Sequence, residues 1–339
     1  MPQPSNWEPP YPAFSAEFKL PADHAVIAYY GVEWRTGDST KDSESFHSWM
    51  AGMLELPSRP DVINRARCST GNLITEVFFL YWLDPLRFTQ WECSAQHTCW
   101  WNDPHRIQEA AGYWRETWRS PLSRTETLLS SQRRFGLSEG AERIRGPIRE
   151  HAYWGAARDR IPGSAQDLMA STVNTLRRLD PLPKSKGARL RVTPPANVCL
   201  IRSGQDWSQC GPKERDLYLS DIHPLLLEAM NFLRTNGSEV GCVFCRFFEE
   251  LNLHGAEQPR TSAAALFLSL EHLEAWVSQH PTHLAIFRAA GEMAQKLNFK
   301  LDLNLWHEVA VLPERMAVGE YLNCEPTTGL LPFFPAESF

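Results

Sequence analysis

AALFLSLEHLEAWVSQHPTHLAIFRAAGEMAQKLNFKLDLNLWHEVAV, residues 264–311, reads as strand, helix and strand in turn. Residues 264–270 form a short apolar run bounded by polar sequence, as a buried strand does. Residues 271–297 carry apolar side chains at helical spacing, with a break near Pro281, a residue that fits the first turn of a helix. Residues 301–311 alternate, placing Leu301, Leu303, Leu305, His307, Val309 and Val311 on one face. His283 likewise shares a helix face with Ile286, Ala290, Met293 and Leu297. Two imidazoles, one on the helix and one on the next strand, are thus expected to look into a single buried pocket.

The same arrangement echoes earlier in the chain. Leu83-Asp84-Pro85-Leu86 follows the apolar run 73–82 much as Leu270-Glu271-His272-Leu273 follows 264–270, and each leads into a helix bearing a tryptophan, Trp91 or Trp276. Repeated units of this kind predict an α+β protein of two halves whose antiparallel sheets pack together. The expected division is a Pro-rich arm (1–23, with Pro2, Pro4, Pro9, Pro10, Pro12 and Pro21), a first half (24–148), a second half (149–330) and a tail (331–339). Proline fixes φ and removes a donor, so the arm should lie extended across the body or a neighbouring subunit. Strands are expected at 25–34, 73–82, 151–155, 198–203 and 240–248, and helices at 42–56, from Asp84 to Trp91, and at 214–234. Residues 103–148 read as polar and helical or irregular. The echo also sets His97 near the position that His283 takes, which makes His97 its first competitor.

With 339 residues, 43% of them hydrophobic, the chain can bury a large core. A net charge of −6 argues against a nucleic-acid binder, which needs a basic patch. No apolar run reaches the roughly 20 residues of a membrane span, and the start lacks the basic and apolar regions of a signal peptide, so a cytoplasmic protein is expected. Its eight cysteines should then be reduced thiols. Cys242 and Cys245 have redox-motif spacing but lie in a strand, with no second pair to complete a zinc site. Thirteen Trp, 17 Phe and 8 Tyr supply bulky flat side chains, which fill core and also suit the walls of a large planar cofactor.

Taken one by one, the candidate residues leave alternatives open. A helix-borne histidine facing an apolar slot can hold haem iron, yet His283 also reads as a core histidine satisfied by backbone, and His280 has a similar claim. His307 needs a carboxylate partner; strand parity sends Glu308 to the opposite face, so Glu126 or another distant acid must serve. Ser203, ending a buried strand on the face of Cys199 and Ile201, can hold a substrate oxygen or cap a turn. Arg158 and Arg160 flank Asp159 in a charged turn that is either solvated surface or a clamp for a carboxylate.

Together, however, YWGAARDRIP (153–162), LIRSGQDW (200–207), HPTHL (280–284) and LWHEV (305–309) occur in that order, with Glu126-Thr127-Leu128, NFLRTNG (231–237) and YLNC (321–324) beside them. The chain resembles the haem-containing aldoxime dehydratases over nearly its whole length, most strongly after residue 150. Trp306 stands where some members have tyrosine. The resemblance implies two ferredoxin-like halves forming a barrel-like sheet with surrounding helices, a homodimer, and haem b that is ferrous when active. It implies dehydration of an aldoxime, R–CH=N–OH, to a nitrile and water, with the substrate nitrogen on the iron. Carried over motif by motif, His283 is the proximal iron ligand, His307 the distal acid–base group, and Ser203 the partner of the oxime hydroxyl. Arg160 and Glu126 support them, and Arg158 is placed to meet the cofactor. Other haem enzymes on such a barrel, of peroxidase or monooxygenase type, and a non-catalytic haem protein are the remaining readings.

Overall fold

Apolar runs bounded by turns make the strands, and the absence of a polar face on several of them requires both sides to be covered. The computed structural model describes residues 6–19 and 22–339, so Pro2, Pro4 and Pro21 lie outside the described residues. In chain order the elements are β1 (Ser15–Glu17), β2 (His24–Arg35), α1 (Lys41–Met53), β3 (Val62–Thr70), β4 (Leu73–Trp82), α2 (Pro85–Glu92), α3 (Ala95–Trp101), β5 (Gly112–Pro121), β6 (Thr125–Leu129) and β7 (Arg143–Arg145). There follow α4 (Ala156–Arg160), β8 (Arg189–Val192), β9 (Cys199–Asp206), α5 (Pro212–Leu217), α6 (His223–Asn236), β10 (Cys242–Leu251), β11 (Glu257–Phe267), α7 (Leu270–Gln279), α8 (Pro281–Lys296), β12 (Asn304–Val311), β13 (Ala317–Leu322) and β14 (Ala336–Ser338).

Twelve strands form one antiparallel sheet in the order β14-β8-β13-β5-β2-β4-β3-β10-β11-β9-β12-β6. Within it, β5-β2-β4-β3 and β10-β11-β9-β12 each set a first strand between a third and a fourth, and the two second strands, β3 and β10, join the runs edge to edge. The sheet curls. Tyr81 on β4 reaches Glu308 on β12 across the interior, and one core cluster unites Tyr29, Phe79 and Trp114 with Leu200, Leu266 and Ala310. The outer faces are covered by helices. Val26, Ala28 and Tyr30 pack beneath α1–α3, while Cys199, Ala265 and Val309 pack beneath α6–α8.

Several expectations need correcting. Residues 103–148 contain β5, a strand well inside the sheet, and β6. Residues 151–155 are a turn rather than a strand, because Ala152 (φ 60°) and Gly155 (φ 94°) take the left-handed region. The helix expected at 214–234 is divided into α5 and α6 by a π-turn at Tyr218–Ile222. The last long strand starts at Asn304, not 301, after the left-handed Asn298 and Phe299; Leu301 and Leu305 are exposed. The arm crosses its own chain: Phe14 bridges Leu129, and β1 pairs with β7.

Candidate active site

Three neighbouring strands build the floor. His307 on β12 lies directly opposite Ser203 on β9 and Leu128 on β6, so all three share the helix-covered face, with Glu126 two residues along β6 from Leu128. His307 Nε2 meets Glu126 Oε1 at 2.9 Å. Arg160 donates through Nε to Glu126 Oε2 (2.8 Å) and through Nη2 to Oε1 (3.2 Å), and Nη2 also stands 3.3 Å from His307 Nε2. Burial alone would raise the Glu126 carboxyl, but Arg160 and His307 outweigh it and hold the group down at about 2. Glu126 is therefore an anion at any working pH. His307 Nδ1 and Ser203 Oγ make no hydrogen bond among the described residues, which leaves both free for a ligand.

Arg160 owes its aim to α4. Gly155 supplies the left-handed residue that starts this short helix, Ile161 is buried after it, and Pro162 prevents its continuation. Arg160 Nη1 is fixed by the Glu150 carbonyl at 2.6 Å. Arg158 turns elsewhere, donating through Nε to Glu274 on α7 (2.8 Å) and through Nη1 to the Leu168 carbonyl (3.0 Å). The charged turn is thus not solvated surface at Arg160, whose side chain is only 4% exposed.

The roof is α7 and α8. His280 caps α8: its Nδ1 lies 2.8 Å from Thr282 Oγ1 and 3.4 Å from the Thr282 amide, and its ring sits 4.1 Å from that of Phe232. These contacts engage Nδ1 and leave Nε2 without a hydrogen-bond partner among the described residues. His283, one turn on, stands edge-on to Trp276 at 4.9 Å. Its Nδ1 is buried without a regular hydrogen bond, and burial pushes the imidazole down to about 4, with the Val277 backbone giving some relief. Phe287, one turn further along the same face, is 55% exposed against Trp154, itself 38% exposed. A neutral imidazole with an unsatisfied ring nitrogen, beside large exposed aromatics, fits an apolar planar group carrying a metal. Among the described residues no group of three or more His, Cys, Asp or Glu could hold a metal ion.

The competitors are accounted for. His97 on α3 is buried, with Nε2 at 3.0 Å from Tyr30 Oη and 3.3 Å from Arg115 Nη1, and Trp49, Trp91 and Trp101 close around it. Cys242 and Cys245 are free, buried thiols pushed up by burial; one donates to the Phe244 carbonyl and the other to Met230 Sδ. Sequence reasoning missed the Glu150 carbonyl and Glu274, for which no local pattern exists. It also missed His151, which is 1% exposed with neither ring nitrogen partnered among the described residues.

The model of the family described as haem-containing dehydratase matches residues 28–330. A phenylacetaldoxime dehydratase from Bacillus sp. (strain OxB-1) is 35% identical over 98% of this chain and 94% of its own length. An aliphatic aldoxime dehydratase from Pseudomonas chlororaphis is 34% identical over 97% and 92%. A crystal structure of an aldoxime dehydratase in complex with butyraldoxime superposes with a TM-score of 0.90 at 32% identity, covering 97% of this chain and 91% of that one.

Proposed function

The chain belongs to the haem-containing dehydratase family, and from that premise we propose that it dehydrates aldoximes to nitriles, with His283 holding the haem and His307 moving the protons. The reading is carried by one observation: the His307–Glu126–Arg160 triangle lies on the sheet face covered by α7 and α8, where the buried, neutral His283 is near enough to feel the charge of His307. Bound there, haem would supply a metal centre that orients the substrate nitrogen and polarises the N–O bond.

The chain's own residues do the rest. R–CH=N–OH becomes R–C≡N and H2O when the C–H and N–O bonds break, the carbon loses a proton and the oxygen gains one. Hydroxide leaves poorly, so His307 gives a proton to the departing oxygen and then takes one from carbon, returning to its starting state. Well-placed proton transfer of this kind contributes roughly 10²–10⁴-fold. Glu126 fixes the ring through Nε2, leaving Nδ1 to face substrate, and Arg160 balances the Glu126 charge. Ser203, opposite His307 in the strand register, holds the oxime hydroxyl so that the transfer is short. Arg158, with Nε on Glu274 and Nη1 on the Leu168 carbonyl, keeps Nη2 for a cofactor carboxylate. Trp276 against His283, and Phe287 one turn along packed on Trp154, would shield a group bound there from bulk water.

The two strand runs, each with its first strand between third and fourth, support a reading as two ferredoxin-like halves, 24–148 and 149–330. A homodimer in the cytoplasm is the assembly and place that the family resemblance supports; no helix of the described residues is long and apolar enough to cross a membrane.

The test uses haem-loaded protein, reduced with dithionite under anaerobic conditions and given a panel of aryl and alkyl aldoximes. Nitrile is expected by chromatography with no oxidant consumed, and His307→Ala should keep its haem and lose at least 10²-fold in turnover. Fully loaded wild-type protein that yields no nitrile from any aldoxime would sink the reading; peroxide- or O2-dependent turnover would replace it with a peroxidase or monooxygenase.

A further inference from the structure

Directly behind Ser203 and His307, on the interior side of the same strands, Arg202 and Glu308 are register partners. Both are buried, a costly place for charged side chains, and their partners come from β3, β4 and β10 and from one backbone amide, none of them on a strand next to β9 or β12. Arg202 Nη1 donates to Asn64 Oδ1 on β3 (2.8 Å) and to Tyr81 Oη on β4 (2.9 Å), and Nη2 donates to Glu250 Oε1 on β10 (2.7 Å). Tyr81 Oη donates in turn to Glu308 Oε1 at 2.6 Å, and the Leu137 amide donates to Glu308 Oε2 at 2.6 Å. The Arg202 guanidinium lies 3.8 Å from the centroid of the Phe79 ring and 5.1 Å from that of Trp306. Trp306 covers Gly204, where an added Cβ would come within 2.5 Å of the indole.

Well-packed apolar residues would stabilise a barrel interior as well as such a cluster or better. What the cluster does that apolar packing would not is set direction: one hydroxyl receives Arg202 of β9, grips Glu308 of β12, and belongs to a strand of the opposite run. Because side chains alternate along a strand, fixing Arg202 and Glu308 fixes the Cα positions of Ser203 and His307 on the other face. We infer that Tyr81, Arg202 and Glu308 are positioning residues for dehydration, holding β9 and β12 so that Ser203 and His307 address one substrate oxygen. The inference rests on the acid–base reading of His307. A displacement of about 1 Å can cost 10²-fold in rate, so the few tenths of an ångström released by losing the bridging hydroxyl correspond to about 10-fold.

The experiment compares Tyr81→Phe with Tyr29→Phe, whose hydroxyl lies in the same core without a partner. Two quantities are read: kcat and KM of the haem-loaded protein, and the ¹⁵N resonances of the His307 ring in haem-free protein. Tyr81→Phe should load haem fully, lose about 10-fold in kcat with KM within twofold, and shift the His307 resonances; Tyr29→Phe should match wild type in both. Glu308→Gln, which keeps side-chain volume and one acceptor oxygen, is the second perturbation and should move both quantities the same way. Variants with lowered Tm but wild-type kcat and unmoved His307 resonances would overturn the inference, reducing the cluster to a structural role. Wild-type protein that forms no nitrile would instead fail the dehydratase reading, and the resonances alone would then decide the positioning claim.

Discussion

Replacing Glu126 by Gln removes one charge from the His307–Glu126–Arg160 triangle and almost no volume. A carboxyl with an ordinary value of 4.5, held at about 2 in the fold, contributes about 3 kcal/mol to stability at pH 7. The sign follows from the depressed value: the contribution is complete above pH 4.5 and is lost as pH falls through 2. A second route gives a similar figure. The Arg160 side chain is 4% exposed, and breaking a buried pair by removing one partner costs about 3–5 kcal/mol because the remaining charge is stranded. Glu126→Gln should therefore lose about 3 kcal/mol in urea unfolding of the haem-free protein at pH 7. It should keep the Soret band of the loaded protein, since His283 lies on α8 and makes no contact with Glu126, and lose about 10²-fold in kcat as the His307 ring goes free.

The double variant Glu126→Gln/Arg160→Met separates the two effects. With both charges gone and the volume refilled, stability should return to within about 1 kcal/mol of wild type, while turnover stays low. A single variant that unfolds within about 1 kcal/mol of wild type and keeps its turnover within about threefold would refute the argument that this carboxylate anchors the proton-transfer group.

Three further outcomes are expected. His283→Ala should lose haem or change its axial-ligand spectrum; full occupancy with a wild-type spectrum would move the ligand elsewhere. The His283 imidazole sits at about 4, below its ordinary 6.5, so haem-free protein should lose stability as pH falls from 6.5 to 4, by about 3 kcal/mol in all. His283→Leu should flatten that slope in urea titrations, and equal slopes in the two proteins would contradict the buried neutral ring. His97→Leu should lower Tm through the lost bond to Tyr30, by about 1–3 kcal/mol of stability, yet keep haem and turnover; loss of the Soret band would make His97 the ligand.

How far the sequence revealed this site depended on where each signal lay. Parity along 301–311 correctly turned Glu308 away from His307, because alternation is a local property of the strand. The identity of the carboxylate was not local: Glu126 sits on an edge strand next to β12 only after the sheet has formed, and the family motifs alone preferred it to other distant acids. The β5 strand stayed hidden since GYWRETWRSP carries Arg115 and Glu116 at sites that propensity reads as polar. Both are satisfied in the sheet, Arg115 by Glu320 and Glu116 by Arg246, at 2.8 Å and 2.7 Å. The start of β12 was misplaced because Asp302 and Leu303 give their amides to the Glu214 carboxylate, a capture 88 and 89 residues distant in sequence.

The two strand runs carry equivalent histidines in unlike surroundings. His97 is the third residue of α3 and His283 the third residue of α8, each on the last helix before a fourth strand. Opposite them the register pairs Tyr30 with Arg115 in one run and Ser203 with His307 in the other. In the first run the long side chains of Tyr30 and Arg115 reach the imidazole and bond its Nε2, and three tryptophans occupy the remaining volume. In the second run serine is too short to reach across, and His307 is drawn sideways to Glu126 and Arg160. His283 Nδ1 is left without a regular hydrogen bond, eased only by the Val277 backbone. The two runs thus differ in side-chain reach at two register positions, Tyr30 and Arg115 in one and Ser203 and His307 in the other.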